Sequence, residues 1–164
     1  MRGLYAAVDA QRVERGLSWQ GMADEIWELS EGLNARRDDH PISVSTLKLT
    51  DDRRQVGCHH ALFMLRWLGK APEDFVAGAG HVEMPDPGPD YRLRWDLSKL
   101  ADAVDEARRA HGMTWAEAAE RAHCTTNQLT GLKRVKFGTT MRLTMRLVRG
   151  LGRPSTDFIY AAQW

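Results

Sequence analysis

The sequence predicts an all-α fold made of two copies of one small helical unit, and three features carry that expectation. The first is repetition. Val8, Asp9, Arg12, Gly16 and Trp19 return as Val104, Asp105, Arg108, Gly112 and Trp115, 96 residues later. Leu65, Leu68, Gly69, Asp74 and Phe75 return as Val148, Leu151, Gly152, Asp157 and Phe158, now 83 residues later, so 13 extra residues lie inside the first copy. Internal repetition sets the architecture within which every other signal is read. The second feature is apolar residues at helical spacing, as in Leu97, Leu100, Ala101, Val104 and Ala107. The third is that no segment of useful length alternates apolar and polar residues as a half-buried strand does.

The elements follow in order. In the first copy, Leu4, Tyr5 and Val8 lie on a helix that Gly16 stops, and Ser18 caps the next. An insertion at about residues 27–41 follows, carrying Glu28, Glu31, Arg36, Arg37, Asp38 and Asp39. It reads as a long polar loop closed by Pro41. Ser43 then caps a helix through Val44, Ser45, Thr46, Leu47 and Lys48. Residues 1–80 are thus one expected domain. Residues 81–92, in a stretch rich in Gly, Pro and acid, are an exposed linker.

The second expected domain, 93–164, opens with Asp96 capping a helix that ends at Gly112. Thr114, with Glu117 three residues on, forms a capping box for a short helix over about residues 115–122. His123 and Cys124 make a turn, and Thr125 caps a third helix whose Leu129 and Leu132 face inward. A basic loop follows, then a helix burying Met141, Met145, Val148 and Leu151.

Two short helices joined by a tight turn and braced by helices before and after form a helix-turn-helix. Its second helix reads base edges in the major groove through outward side chains near its N-terminus. Thr126, Asn127 and Thr130 point outward if Leu129 points in. Lys133, Arg134 and Lys136 then lie where a phosphate backbone passes. Thr114 and Trp115 open the preceding helix, where amides can meet a second phosphate.

Gly112-Met113-Thr114-Trp115, Ala118-Ala119, Thr125-Thr126-Asn127-Gln128-Leu129-Thr130 and Leu151-Gly152 with Asp157-Phe158 together resemble the xenobiotic-response-element (XRE) type of helix-turn-helix. That family comprises lambda-repressor-like, sequence-specific DNA-binding domains of bacterial transcriptional regulators and phage repressors. The resemblance covers nearly all of residues 96–160, and residues 4–80 more loosely. It implies four to five short helices per copy in a pseudo-two-fold arrangement, with double-stranded DNA as partner. Carried over by position, it assigns DNA contacts to Thr125, Thr126, Asn127 and Thr130, with Val44, Ser45 and Lys48 as first-copy counterparts. Asp51 and Asp52 stand where the second copy has Lys133 and Arg134; Arg53 and Arg54 would offset their repulsion of phosphate.

Charge divides unevenly. Up to Pro89 there are 10 Lys/Arg against 14 Asp/Glu, and from Asp90 onward 13 against 8. A polyanion is therefore drawn to the second copy first. The acidic first copy suits a second reading, a protein-interaction module that no longer binds DNA. No apolar run approaches the ~18 residues of a membrane span. The N-terminus lacks a signal-peptide core, and Cys58 and Cys124 form no disulfide framework, so a cytoplasmic monomer acting as a covalent pseudo-dimer is expected.

Catalysis, metal and cofactor are not expected. Cys58-His59-His60 has ligand types but nothing at zinc spacing completes a site. His123 and Cys124 are turn neighbours without a third orienting group.

Overall fold

The computed structural model describes residues 3–49, 56–134 and 139–163. Among them the chain forms nine α-helices and two short strands. In the first half these are α1 (Leu4–Glu14), α2 (Trp19–Glu28), α3 (Glu31–Arg37), α4 (Val44–Leu49) and α5 (Cys58–Leu68). The second half holds β1 (Arg92–Trp95), α6 (Leu97–Ala110), α7 (Trp115–Arg121), α8 (Thr126–Thr130), α9 (Met141–Gly150) and β2 (Ile159–Ala162). Short 3₁₀ turns follow α5, α8 and α9, at Pro72–Phe75, Leu132–Arg134 and Ser155–Phe158.

The largely helical expectation holds, with two corrections. The first is the two-stranded antiparallel sheet, in which Arg92 stands opposite Ala162 and Trp95 opposite Ile159. Four residues per strand are too few for a period of two to stand out, and their pairing joins segments more than 60 residues apart. The second is α3, which occupies the insertion expected to be a loop. Asp38 ends it in a left-handed conformation with φ 50°, which Asp tolerates better than most residues.

Both halves contribute to one continuous apolar core, from Leu4 and Met22 through Leu62 and Leu65 to Leu100, Leu129, Met141 and Phe158. The contact between α5 and α9 is reciprocal. The amide of Cys58 donates to the Thr139 carbonyl at 2.7 Å, and the amide of Met141 donates to the Val56 carbonyl at 2.9 Å. Cys58 and Met141, like Val56 and Thr139, are 83 positions apart, the offset of the sequence repeat. Each half thus offers the other the same pair of groups, as a two-fold interface does.

The halves also meet at the turns after those helices. Glu73 is buried and accepts the Ser155 amide at 2.7 Å and the Ser155 hydroxyl at 2.8 Å. The insertion packs on the stretch expected to be an exposed linker. The Leu33 amide donates to Pro89, the Ser30 hydroxyl to Tyr91, and Arg36 pairs with Asp90 at 2.7 Å. Arg92 of β1 is 3% exposed and donates to both Asn34 and Asp39. That guanidinium holds the Asp39 carboxyl below the usual carboxylate range.

Candidate nucleic-acid interface

The second half sets its two short helices by local chemistry. The Thr114 hydroxyl accepts the Glu117 amide at 3.2 Å, while the Glu117 carboxylate takes the Thr114 amide at 2.7 Å. These bonds, rather than any charge partner, lower the Glu117 pKa. Behind α7, Arg108 donates to Asp105 and to the Met113 carbonyl at 2.7 Å, and its guanidinium lies 4.7 Å from the centre of the Trp115 ring. Arg146 of α9 donates to the carbonyls of Ala122 and His123, tying the end of α7 to the body of the domain.

His123 makes the turn with φ 49°. Its amide donates to Glu120 and that of Cys124 to Ala119, both at 2.9 Å. The Thr125 hydroxyl then caps α8 by accepting the Gln128 amide at 3.1 Å, and the Thr125 amide donates to the Gln128 side-chain Oε1 at 2.9 Å. Leu129 is 2% exposed, whereas Thr126, Asn127, Gln128 and Thr130 are exposed. The expected outward face is present. The Thr130 hydroxyl, however, donates back to the Thr126 carbonyl at 2.9 Å, a bond it would give up only to donate to a base.

The expected phosphate contacts divide. Arg134 is exposed. Lys133 is exposed too but pairs with Asp102 of α6. Lys136 lies outside the described residues. At the start of α7 the Glu117 carboxylate already occupies the Thr114 amide, and Trp115 lies half-buried beneath Arg108. An incoming phosphate there is left with the first-turn amides of Trp115 and Ala116, which have no intrahelical acceptor.

The first half repeats the brace. Arg12 donates to Asp9 and to the Leu17 carbonyl at 2.7 Å, with its guanidinium 4.5 Å from the Trp19 ring centre. The two short helices are nevertheless arranged differently, because α3 intervenes between α2 and α4. Ser43 accepts the Thr46 amide at 3.2 Å, Ser45 and Lys48 are exposed, and Val44 is half-buried. The Ser45 hydroxyl shares a 2.9 Å bond with that of Ser43. Arg53 and Arg54, with Asp51 and Asp52, lie outside the described residues.

The brace and the Arg146 tie were not foreseen from the sequence. Arg12 and Arg108 stood among the repeated residues, so the repeat itself was the signal. Arg146 carried none, since its partners are backbone carbonyls more than 20 residues away.

Burial pushes the thiols of Cys58 and Cys124 up, away from the reactive thiolate. His59 falls to about 4, first through burial and then through the charge of Arg94. Its Nδ1 accepts the Trp95 amide at 3.3 Å, which requires the unprotonated ring nitrogen. Among the described residues no group of three or more His, Cys, Asp or Glu could hold a metal ion, and no helix is long and apolar enough to cross a membrane. No protein-family model, curated protein or solved structure matches the chain.

Proposed function

We propose that the chain is a sequence-specific, DNA-binding transcriptional regulator whose second half reads the major groove through α8. The observation that carries this reading is the division of α8. Leu129 is sealed into the core, while Thr126, Asn127 and Thr130 stand on the open face of a short helix that follows α7 through a four-residue turn. Asn127 pairs naturally with an adenine edge, and the threonines suit bases or a thymine methyl. The charge excess of the second half and exposed Arg134 support backbone contact on the same side.

In this reading the chain is a tandem duplication of a lambda-repressor-like domain that works as a covalent pseudo-dimer. The reciprocal bonds across α5 and α9 support it, since two-fold proteins read two half-sites about one helical turn, ~34 Å, apart. The halves differ, so the operator is asymmetric.

Selection of bound duplexes by the intact chain supplies the operator. Asn127→Ala is then expected to weaken that site by about 5- to 150-fold and relax one base position, with non-specific binding intact. Arg134→Ala weakens all sequences and lowers the salt slope by about one. A chain that selects no sequence, or an Asn127→Ala variant that binds its operator unchanged, removes α8 as the reader.

A second reading, in which the first half binds a protein rather than DNA, is favoured by one observation: α3 separates α2 from α4, replacing the tight turn. Ser45→Ala with Lys48→Ala discriminates. Loss of affinity at one half-site makes the first half a second reader; unchanged affinity leaves α8 reading alone.

A further inference from the structure

A cleft of about 160 Å³ opens between α6, α7 and α9. An apolar cavity of roughly 150 Å³ is large enough to take a benzene ring. The first half shows what occupies the matching place. Gly150 of α9 corresponds at the 83-residue offset to Trp67 of α5. Trp67 is 7% exposed; its indole N–H donates to Glu25 at 2.7 Å, and the Arg15 guanidinium lies 5.6 Å from its ring centre. A side-chain carbon added at Gly150 would meet nothing within 4 Å.

The walls have receded in step. Met22 and Ile26, both buried in α2, correspond to Ala118 of α7 and to Ala122 at its C-terminal cap. Gln11, whose side chain bonds the Trp67 carbonyl at 3.2 Å, corresponds to Ala107. The second half thus lacks the indole and is also thinned where the indole sits in the first.

Polarity is reversed as well. Glu25, which receives the Trp67 N–H, corresponds to Arg121. Arg121 and Arg146 line the cleft together with Arg108 and His111, and no acid does so among the described lining residues. Arg108 and Arg146 are committed to Asp105 and to backbone carbonyls, and His111 folds onto the Ala107 carbonyl at 2.7 Å. Among the described residues Arg121 reaches only the Met113 sulfur, at 3.9 Å, a weak acceptor.

We propose that this cleft is a binding site for a small planar aromatic anion, an aryl carboxylate of about indole size. Its ring takes the place that Trp67 fills in the first half, and its carboxylate pairs with Arg121. The site does not depend on the DNA-binding reading. Because Ala118 and Arg121 belong to α7 and Ala122 caps its end, a bound ring would also brace the helix that supports α8.

The test is direct binding of indole-3-acetate, indole and tryptamine to the intact chain by titration calorimetry, without DNA. Indole-3-acetate is expected to bind best and tryptamine worst. Gly150→Trp refills the cleft from within and abolishes binding. Arg121→Glu restores the acid of the first half and is expected to weaken indole-3-acetate by about ten-fold while improving tryptamine. The charge swap keeps the test sharp if Gly150→Trp does not fold. Equal affinity for all three probes, no binding at millimolar concentration, or indole-3-acetate binding that survives both substitutions overturns the proposal. Loss of DNA binding with ligand binding intact would count against the regulator and not against this site.

Discussion

In the first half Trp67 fills the space enclosed by α1, α2 and α5; in the second half Gly150 leaves the matching space open. The same contrast recurs elsewhere. An added helix, α3, stands between α2 and α4 and is tied through Asn34 and the following Asp39 to Arg92, whereas α7 runs into α8 through four residues. Both halves keep the Arg–Asp–Trp brace with nearly identical distances. The brace is common to both halves, and what packs around it differs. The first half is the more filled of the two; the second has short exposed helices and an open cleft.

The largest expected effect falls on the packing that only the first half has. Asp39→Ala leaves the Arg92 guanidinium, 3% exposed, with Asn34 as its remaining side-chain partner. Breaking a buried pair costs about 3–5 kcal/mol; the Asp39 side chain is 39% exposed, which places the expected loss nearer 2–3 kcal/mol. Chemical denaturation of the full chain measures it. A loss below about 0.5 kcal/mol, the ordinary range for a surface substitution, would make α3 an ornament rather than a clamp.

The second expected effect concerns α5 and α9. His59 lies under β1 and accepts the Trp95 amide, whereas its counterpart Arg142 is exposed. The folded chain holds His59 near 4, below its ordinary 6.5, so the unfolded chain binds more protons between those values. Stability is therefore fully present above pH 6.5 and lost as pH falls towards 4, by about 2 kcal/mol once partial exposure is allowed for. His59→Asn keeps an acceptor near Trp95 and removes the titration. Its denaturation midpoint should change less with pH over this window than that of the natural chain; parallel curves would show that His59 does not drive the acid response.

Much of this asymmetry was legible only in part. The repeat, the caps at Ser18, Thr114 and Thr125, and the burial of Leu129 follow from local patterns, because a cap and its helix lie within four residues of each other. The charges of the insertion suggested a solvated loop. Their partners Asp90 and Arg92 are more than 50 residues away, and no local pattern links them. The sheet was missed for the same reason. The exchange of Trp67 for Gly150 was available at the 83-residue offset, but its meaning depends on which residues surround the two positions. At the candidate interface, Lys133 looked like a phosphate contact by its position; its pairing with Asp102 appears only when α6 is in place.

The smallest effect tests the shared part. Arg12→Ala and Arg108→Ala each remove a stacked guanidinium and a bond to a backbone carbonyl at the loop before the next helix. The stacking and the carbonyl bond together suggest about 1 kcal/mol in each case, with the accompanying ion pairs adding little in water. If the two braces are equivalent, the losses should agree within about 0.5 kcal/mol and add in the double variant, as independent sites do. Trp19 also stacks on Tyr5 at 6.0 Å, whereas the counterpart of Tyr5 is Ala101. Trp19→Ala is therefore expected to cost more than Trp115→Ala by about 0.5–1.5 kcal/mol, the worth of an aromatic pair. Unequal arginine losses would place the difference between the halves in the brace itself, whereas equal arginine and unequal tryptophan losses would confine it to what packs around the brace.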